Sequence, residues 1–369
     1  VAGTRPDAIK TAPVVLELRR RANACETVLA TTGQHREMLA QALGAFGLAP
    51  DHDLAIMSHG QTLAQVTTRA LEGLDALFDS LRPDLVLAQG DTTTTFAAGL
   101  AAFYRGTPFG HIEAGLRTAS VAEPFPEEFN RRATALVAAQ HYAPTSWAAQ
   151  NLLAEGADPS RVFVTGNTGI DAVLRIAEAP GPDPYPDWKG PLILMTTHRR
   201  ENWGAPQAQI ARAARRLLDR FPDARLCVAM HPNVIVRQTL CAVLGGHPRA
   251  DLIEPPAYPE FVRLMRRATL ILTDSGGVQE EAPAFGVPVL VLRETTERPE
   301  GIEAGVVKLA GVDEERVFAE AERLLADPQA RAAMARATSP YGDGRASARI
   351  RWAALRLLGV ASPEEPMWT

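Results

Sequence analysis

Leu270-Ile271-Leu272-Thr273-Asp274-Ser275-Gly276-Gly277-Val278-Gln279-Glu280-Glu281 decides the fold class. A short apolar run without alternation reads as a strand covered on both faces. It ends at an acid, two glycines allow a close backbone approach, and a helix begins. Free N–H groups and the positive end of the helix dipole there make an anion site. A plain strand–helix turn with Ser275 as N-cap accounts for the same residues. The spacing is neither a Walker loop nor G-x-G-x-x-G, so it points to neither ATP nor NAD. Glu281, one turn in, either accepts from ribose hydroxyls or is a first-turn acid favoured by the dipole.

The same unit recurs outward along the chain. Residues 85–88, 192–195, 226–229 and 287–292 read as further buried strands. They end in Gln89-Gly90-Asp91, Thr197-His198, His231-Pro232 and Arg293-Glu294, and helical periodicity follows most of them, as over 210–220. Buried strands alternating with helices predict an α/β fold with parallel sheets. The length of 369 residues predicts about two domains. Pro180, Pro182, Pro184, Pro186 and Pro191 cannot sit in a helix or central strand, so they mark an extended connection between halves of similar size. A second break, Ser339-Pro340-Tyr341-Gly342-Asp343-Gly344, precedes a final helix over 346–358. Gly3-Thr4-Arg5-Pro6 reads as the turn after a first strand, so a strand is expected at Val1-Ala2 and the natural chain is expected to begin earlier than this numbering.

Composition narrows the function. Hydrophobic residues at 46% against 22% charged supply a real core and argue against disorder. With 38 basic and 43 acidic residues the net charge is −5, which excludes a strongly basic nucleic-acid binder and gives no attraction to anionic membranes. Cys25, Cys227 and Cys241 show no zinc spacing and no disulfide framework. The histidines form no H-E-x-x-H pair, so no required metal is expected. The apolar runs fall short of the roughly 20 residues of a membrane span. No targeting segment is read, and the cytoplasm is the expected compartment.

Polar clusters fall just after the strands. Arg5 and Lys10 bracket a helix start and could hold a pyrophosphate or be a surface pair. His198, followed by Arg199 and Arg200, can donate to a phosphate or carry a proton. Asp91 follows a strand in Gly90-Asp91-Thr92-Thr93-Thr94-Thr95. Glu113 stands in a strand-like stretch, where an unpartnered carboxylate is costly, so it is expected either to pair with Arg117 or to be functional. Glu127 and Glu128 follow Pro126 at a helix start. Acids in the first half and an anion site in the second suit proton transfer on a substrate whose anionic handle is held elsewhere.

Together with Gly3-Thr4-Arg5-Pro6-Asp7-Ala8-Ile9-Lys10, Thr32-Gly33-Gln34-His35, His111-Ile112-Glu113-Ala114-Gly115-Leu116-Arg117-Thr118, Pro126-Glu127-Glu128-Phe129-Asn130-Arg131, Thr197-His198-Arg199-Arg200-Glu201-Asn202 and Thr296-Glu297-Arg298-Pro299-Glu300, these motifs resemble the bacterial non-hydrolysing UDP-N-acetylglucosamine 2-epimerases. The resemblance covers almost the whole chain in the right order. It implies two Rossmann-like domains facing a cleft, as in glycosyltransferases of GT-B architecture: 1–178, completed by a C-terminal helix in 346–369, and 179–345. It implies a homodimer, no cofactor, and interconversion of UDP-N-acetylglucosamine and UDP-N-acetylmannosamine through elimination of UDP to 2-acetamidoglucal.

Residue by residue, the resemblance assigns Asp91, Glu113 and Glu127 as catalytic acids and His198 as the partner of the departing diphosphate. Arg5, Ser275, Gly276 and Gly277 match diphosphate contacts and Glu281 the ribose acceptor. Lys10, Phe261 and Arg298 match further nucleotide or substrate contacts. Gln34, His35, Gln61, Glu128 and Arg199 resemble an activator site, from which Glu37 and Gly60 depart. Asp7 stands where the family usually has Glu, and Pro256 where relatives often carry Gln. The rivals are a hydrolysing epimerase, a glycosyltransferase on the same fold and a catalytically silent UDP-sugar binder.

Overall fold

In the computed structural model, which describes residues 1–33, 36–58 and 60–368 (the Arg36 side chain aside), the chain divides into two compact units. One comprises Val1–Ala172 with Tyr341–Thr369, the other Val173–Pro340.

The first unit carries strands β1 (Ala30–Thr31), β2 (His52–Asp53), β3 (Val86–Gln89), β4 (Phe109–Ile112), β5 (Gln140–Ala143) and β6 (Val162–Val164). β1 pairs with β2, and β3, β4, β5 and β6 pair in sequence, all parallel. The first residues lie between these two groups. Ala2 makes a parallel bridge to Thr31, and the Val1 amine donates to the Leu87 carbonyl at 2.7 Å. Counting that segment as the first strand, the order is 3-2-1-4-5-6-7, the Rossmann order with one further strand at its end. Gly3 is required by close approach: a Cβ there would lie 2.0 Å from Thr94 Oγ1.

The second unit carries β7 (Leu192–Thr196), β8 (Arg225–Ala229), β9 (Ala250–Ile253), β10 (Leu270–Thr273), β11 (Val289–Val291) and β12 (Val307–Leu309). Their order is β12-β11-β10-β7-β8-β9, again all parallel, which is the Rossmann order 3-2-1-4-5-6. Leu192, Ile193, Leu194 and Met195 have no exposure, as expected where helices cover both faces. Residues 179–191 form neither helix nor strand. Tyr185 and Trp188 of this stretch dock on the Arg225–Asp251 pair, the Tyr185 hydroxyl donating to Asp251 at 2.9 Å.

Helix Ala346–Leu357 packs within the first unit on helix Arg5–Arg19. Val14, Leu18, Ile112, Tyr142, Ile350 and Ala353 share one apolar cluster, and Arg351 pairs with Glu17 at 2.7 Å. No helix among the described residues is long and apolar enough to cross a membrane.

Candidate active site

In sheets of this order, ligands meet the carboxyl ends of the strands where the order reverses. In the first unit that point lies between the first segment and β3, and the acids stand around it. Thr4 caps helix Arg5–Arg19 through a capping box with Asp7. The Asp7 carboxylate accepts from the amides of Gly3 (3.2 Å) and Thr4 (3.1 Å) and from the Thr92 hydroxyl (3.1 Å). It thereby clamps the loop after the first segment to the loop after β3. Burial pushes its carboxyl up to about 6.

Asp91 lies in that second loop, behind Gly90 at φ 80°. Its carboxylate meets Arg131 at 2.8 Å, and its carbonyl accepts from Asn130 at 2.9 Å. Both partners come from helix Glu127–Val137. Burial, reinforced by the Glu127 charge, pushes the Asp91 carboxyl above the usual range against the pull of Arg131 and Lys10. Glu113, just past β4, holds a left-handed backbone at φ 62°, a strain on the order of 1 kcal/mol for a non-glycine residue. Its carboxylate receives Lys10 and the Gln89 amide. Beneath them His111 is fully buried and pushed down to about 3 by that burial, so its neutral Nε2–H donates to the Gly90 carbonyl at 2.7 Å.

The expected pairing of Glu113 with Arg117 does not occur. Arg117 makes a two-pronged contact with Glu155 at 2.8 and 2.7 Å, which its planar fork favours.

In the second unit the order reverses between β7 and β10, and Asp274 is the hub there. It has no exposure. It accepts from the Thr197 hydroxyl (3.0 Å), the amides of His198 and Arg199 (3.0 Å each), and the Asn202 side chain (2.9 Å). His198 Nδ1 stands 3.1 Å from Asp274 Oδ1. Burial works to raise the Asp274 pKa, but the bonds from His198 and the Arg199 amide outweigh it and hold the carboxyl below its ordinary value. The loop after β7 is therefore bound to the loop after β10 by one carboxylate, which also fixes the tautomer and edge of His198. His198 stacks on His231 from the end of β8, with ring centroids 5.8 Å apart.

Ser275 precedes helix Gly276–Glu281, and its amide donates to Thr273 Oγ1 at 3.0 Å. Gly276 leaves room for Arg298, whose guanidinium carbon would stand 2.6 Å from a Cβ there. Arg298 bonds the buried Glu280 at 2.5 Å, so a cation lies over the loop. Among the described residues no group of three or more His, Cys, Asp or Glu side chains is placed to hold a metal ion.

A family model of UDP-N-acetylglucosamine 2-epimerases matches residues 17–354. The chain is 50% identical over 352 residues to the UDP-N-acetylglucosamine 2-epimerase of Bacillus subtilis, covering 95% of this chain and 92% of that protein. It is 46% identical over 361 residues to the Escherichia coli K12 enzyme of the same name, covering 95% and 96%. The crystal structure of the Neisseria meningitidis UDP-GlcNAc 2-epimerase bound to UDP-GlcNAc is 43% identical, covers 96% of this chain and 98% of that one, and superposes with a TM-score of 0.87. The chain belongs to the UDP-N-acetylglucosamine 2-epimerase family. Its fold is the GT-B-like one of that family.

Against the epimerase motifs, the first unit brings Asp91, Glu127 and Lys10 within mutual influence, and Lys10 reaches Glu113. Arg5 is half-buried at the first position of its helix. The second unit gathers His198, Arg199, Ser275, Gly276 and Arg298, and Glu281 faces back toward Gly277. Phe261 is half-buried on helix Tyr258–Arg267. The residues matched to an activator site are scattered in role. Glu128 is fully buried, holding the Thr118 amide at 3.2 Å and Arg132 at 2.7 Å. Gln61 ties its own loop through Ser58 and Ile56. Gln34 and His35 lie outside the described residues.

Asp274, Asp7, Arg131, Gln89 and His231 have site roles that the sequence reading does not assign. The T-x-x-D box at Thr4–Asp7 and the i, i+4 spacing of Glu127 and Arg131 were available signals. Asp274 closes a buried strand and so had to find donors. Nothing local marks Gln89 or His231, whose partners come from distant strands.

Proposed function

We propose that the protein interconverts UDP-N-acetylglucosamine and UDP-N-acetylmannosamine without releasing the free sugar. One carboxylate of the first unit takes the C2 proton while the C1–O bond to UDP breaks, leaving 2-acetamidoglucal. UDP then adds back at C1 as a proton reaches C2 from the other face. Atoms and charge balance with no net oxidation, so no hydride carrier is needed. Direct removal of the C2 proton would be poor chemistry, since no carbonyl adjoins C2.

The observation that carries this reading is the unlike environment of two neighbouring acids. Asp91, pushed up by burial and Glu127, suits the proton-carrying role; Glu113, facing Lys10 and an amide donor, suits the anion. The residue range 1–178 with 346–369 would act on the sugar, and 179–345 would hold the nucleotide. There His198, oriented by Asp274, would help UDP depart. Arg5, Arg298 and the Ser275-Gly276-Gly277 turn would carry the diphosphate, Glu281 the ribose, and Lys10 and Phe261 further contacts. A relative bound to UDP-GlcNAc supports the substrate class.

We further propose a homodimer. Phe103 (60% exposed), Tyr104 (65%) and Leu136 (88%) project from the packed helices Thr93–Tyr104 and Glu127–Val137, a concentration of bare apolar side chains that a second copy would cover.

Proton NMR of UDP-N-acetylglucosamine with the enzyme in D₂O tests the reaction. Loss of the sugar H2 signal with accumulation of UDP-N-acetylmannosamine is expected. Free N-acetylmannosamine plus UDP would instead make it a hydrolysing epimerase. An unchanged spectrum with UDP bound would leave a transferase or a silent binder.

A further inference from the structure

β8, which neighbours β7 in the sheet, is followed by Met230-His231-Pro232-Asn233. Asn233 caps helix Val234–Leu244, its side-chain oxygen accepting from the Ile235 amide at 2.9 Å and the Val236 amide at 3.4 Å. The Asn233 amide donates to His231 Nδ1 at 3.2 Å, so Nδ1 is the unprotonated nitrogen. Arg237 donates to the His231 carbonyl at 3.3 Å. Main chain and ring are thus both set by the cap of a rigid helix.

The His231 ring lies against His198 with centroids 5.8 Å apart and 23° between planes. His198 needs such a neighbour. Its Nδ1 edge is bonded to Asp274, but its side chain is 37% exposed, and one edge contact leaves the ring free to turn about that bond. Burial and the His198 ring hold His231 below its ordinary pKa, so a neutral face is offered to His198 when that ring is charged.

We propose that His231 is a positioning residue for the reaction: stacked on His198 and pinned by the Asn233 amide, it holds the His198 imidazole so that Nε2 is presented to the departing diphosphate. This rests on the assignment of His198 under Proposed function.

His231 is exposed in the loop after β8, so its ring can be exchanged without opening the core. His231→Ala removes the stack, and His231→Phe keeps a flat ring without nitrogens. The Ala variant is expected to lose about tenfold in kcat, with KM and the calorimetric Kd for UDP within about twofold of wild type, and the Phe variant to recover most of kcat. Imidazole ¹⁵N relaxation spectra of the resting protein are expected to show a His198 ring of fixed orientation in wild type and the Phe variant and a mobile ring in the Ala variant, the tautomer being held by Asp274 in all three. Wild-type kcat in the Ala variant overturns the proposal, as does equal failure of both variants. Lost UDP affinity would make His231 a ligand contact instead, and an unchanged His198 spectrum would also overturn it. A wild-type protein with no turnover refutes the epimerase reaction, while the ¹⁵N spectra still decide the stack.

Discussion

Asp274→Asn exchanges one oxygen for an NH₂ at constant shape, in a side chain with no exposure. Oδ2 accepts from Thr197, Arg199 and Asn202, and Oδ1 faces His198 Nδ1. The amide oxygen keeps most bonds on the three-donor side, which turns the NH₂ toward His198. Nδ1 must then accept rather than donate, and the ring proton moves to Nε2. His198 also loses the buried carboxylate charge that faces it. Bonds to a charged acceptor contribute about 1.5–3 kcal/mol each against roughly 0.5–1.5 for a neutral one. Relief from burying a charge offsets part of that loss. The net expectation is about 2–4 kcal/mol of stability lost in the second unit. Turnover should fall roughly 10²–10³-fold, as when an oriented histidine is left in the wrong tautomer. Calorimetric melting and the D₂O exchange assay read the two effects. Because the Asp274 carboxyl is held below its ordinary value, its contribution is complete above pH about 4 and is lost as acid carries the pH through the folded value. The Tm gap between wild type and variant should therefore close toward low pH. Turnover within threefold of wild type and an unaltered melt would refute the hub role.

Asp91→Asn and Glu113→Gln should each lower turnover roughly 10²–10⁴-fold while UDP binding is largely kept, since they remove proton carriers rather than nucleotide contacts; near-normal rates in both would sink the assignment. Ser275→Trp should weaken UDP binding by obstructing the turn before Gly276, and unchanged affinity by titration calorimetry would count against the phosphate site. Asp171, which accepts from the Ala346 and Ser347 amides, is pushed up to about 6 by burial. Its ionisation costs stability as pH rises from the unfolded value near 4 through 6, so Asp171→Asn should gain up to about 3 kcal/mol relative to wild type across that window. A Tm difference independent of pH contradicts this. Leu136→Asp should shift sedimentation from dimer to monomer with little change in the melt of the chain; a dimer that survives it does not use this face.

The architecture was legible because it rests on local signals. Residues 270–273 were read as a strand and form one over Leu270–Thr273, and 192–195, 226–229 and 85–88 were placed within a residue or two of their observed bounds. The run 287–292 shrank to Val289–Val291. Buried parallel strands announce themselves as uninterrupted apolar runs, and the turns after them by glycine and polar residues. Functional residues in those turns could be nominated for the same reason.

Partnership was not legible. For Glu113 the sequence leaves two outcomes, a pair with Arg117 or a functional role; the structure removes the first, since Glu113 reaches Gln89 and Lys10 and Arg117 takes Glu155. By itself the sequence determined the class of fold, the positions of the strand ends and the family. Only the tertiary structure decided which charge each acid faces, that Asp274 binds two loops, and that His231 lies on His198. Strand propensity is a property of neighbouring residues, whereas a carboxylate's environment is set by side chains that parallel pairing brings together from far along the chain.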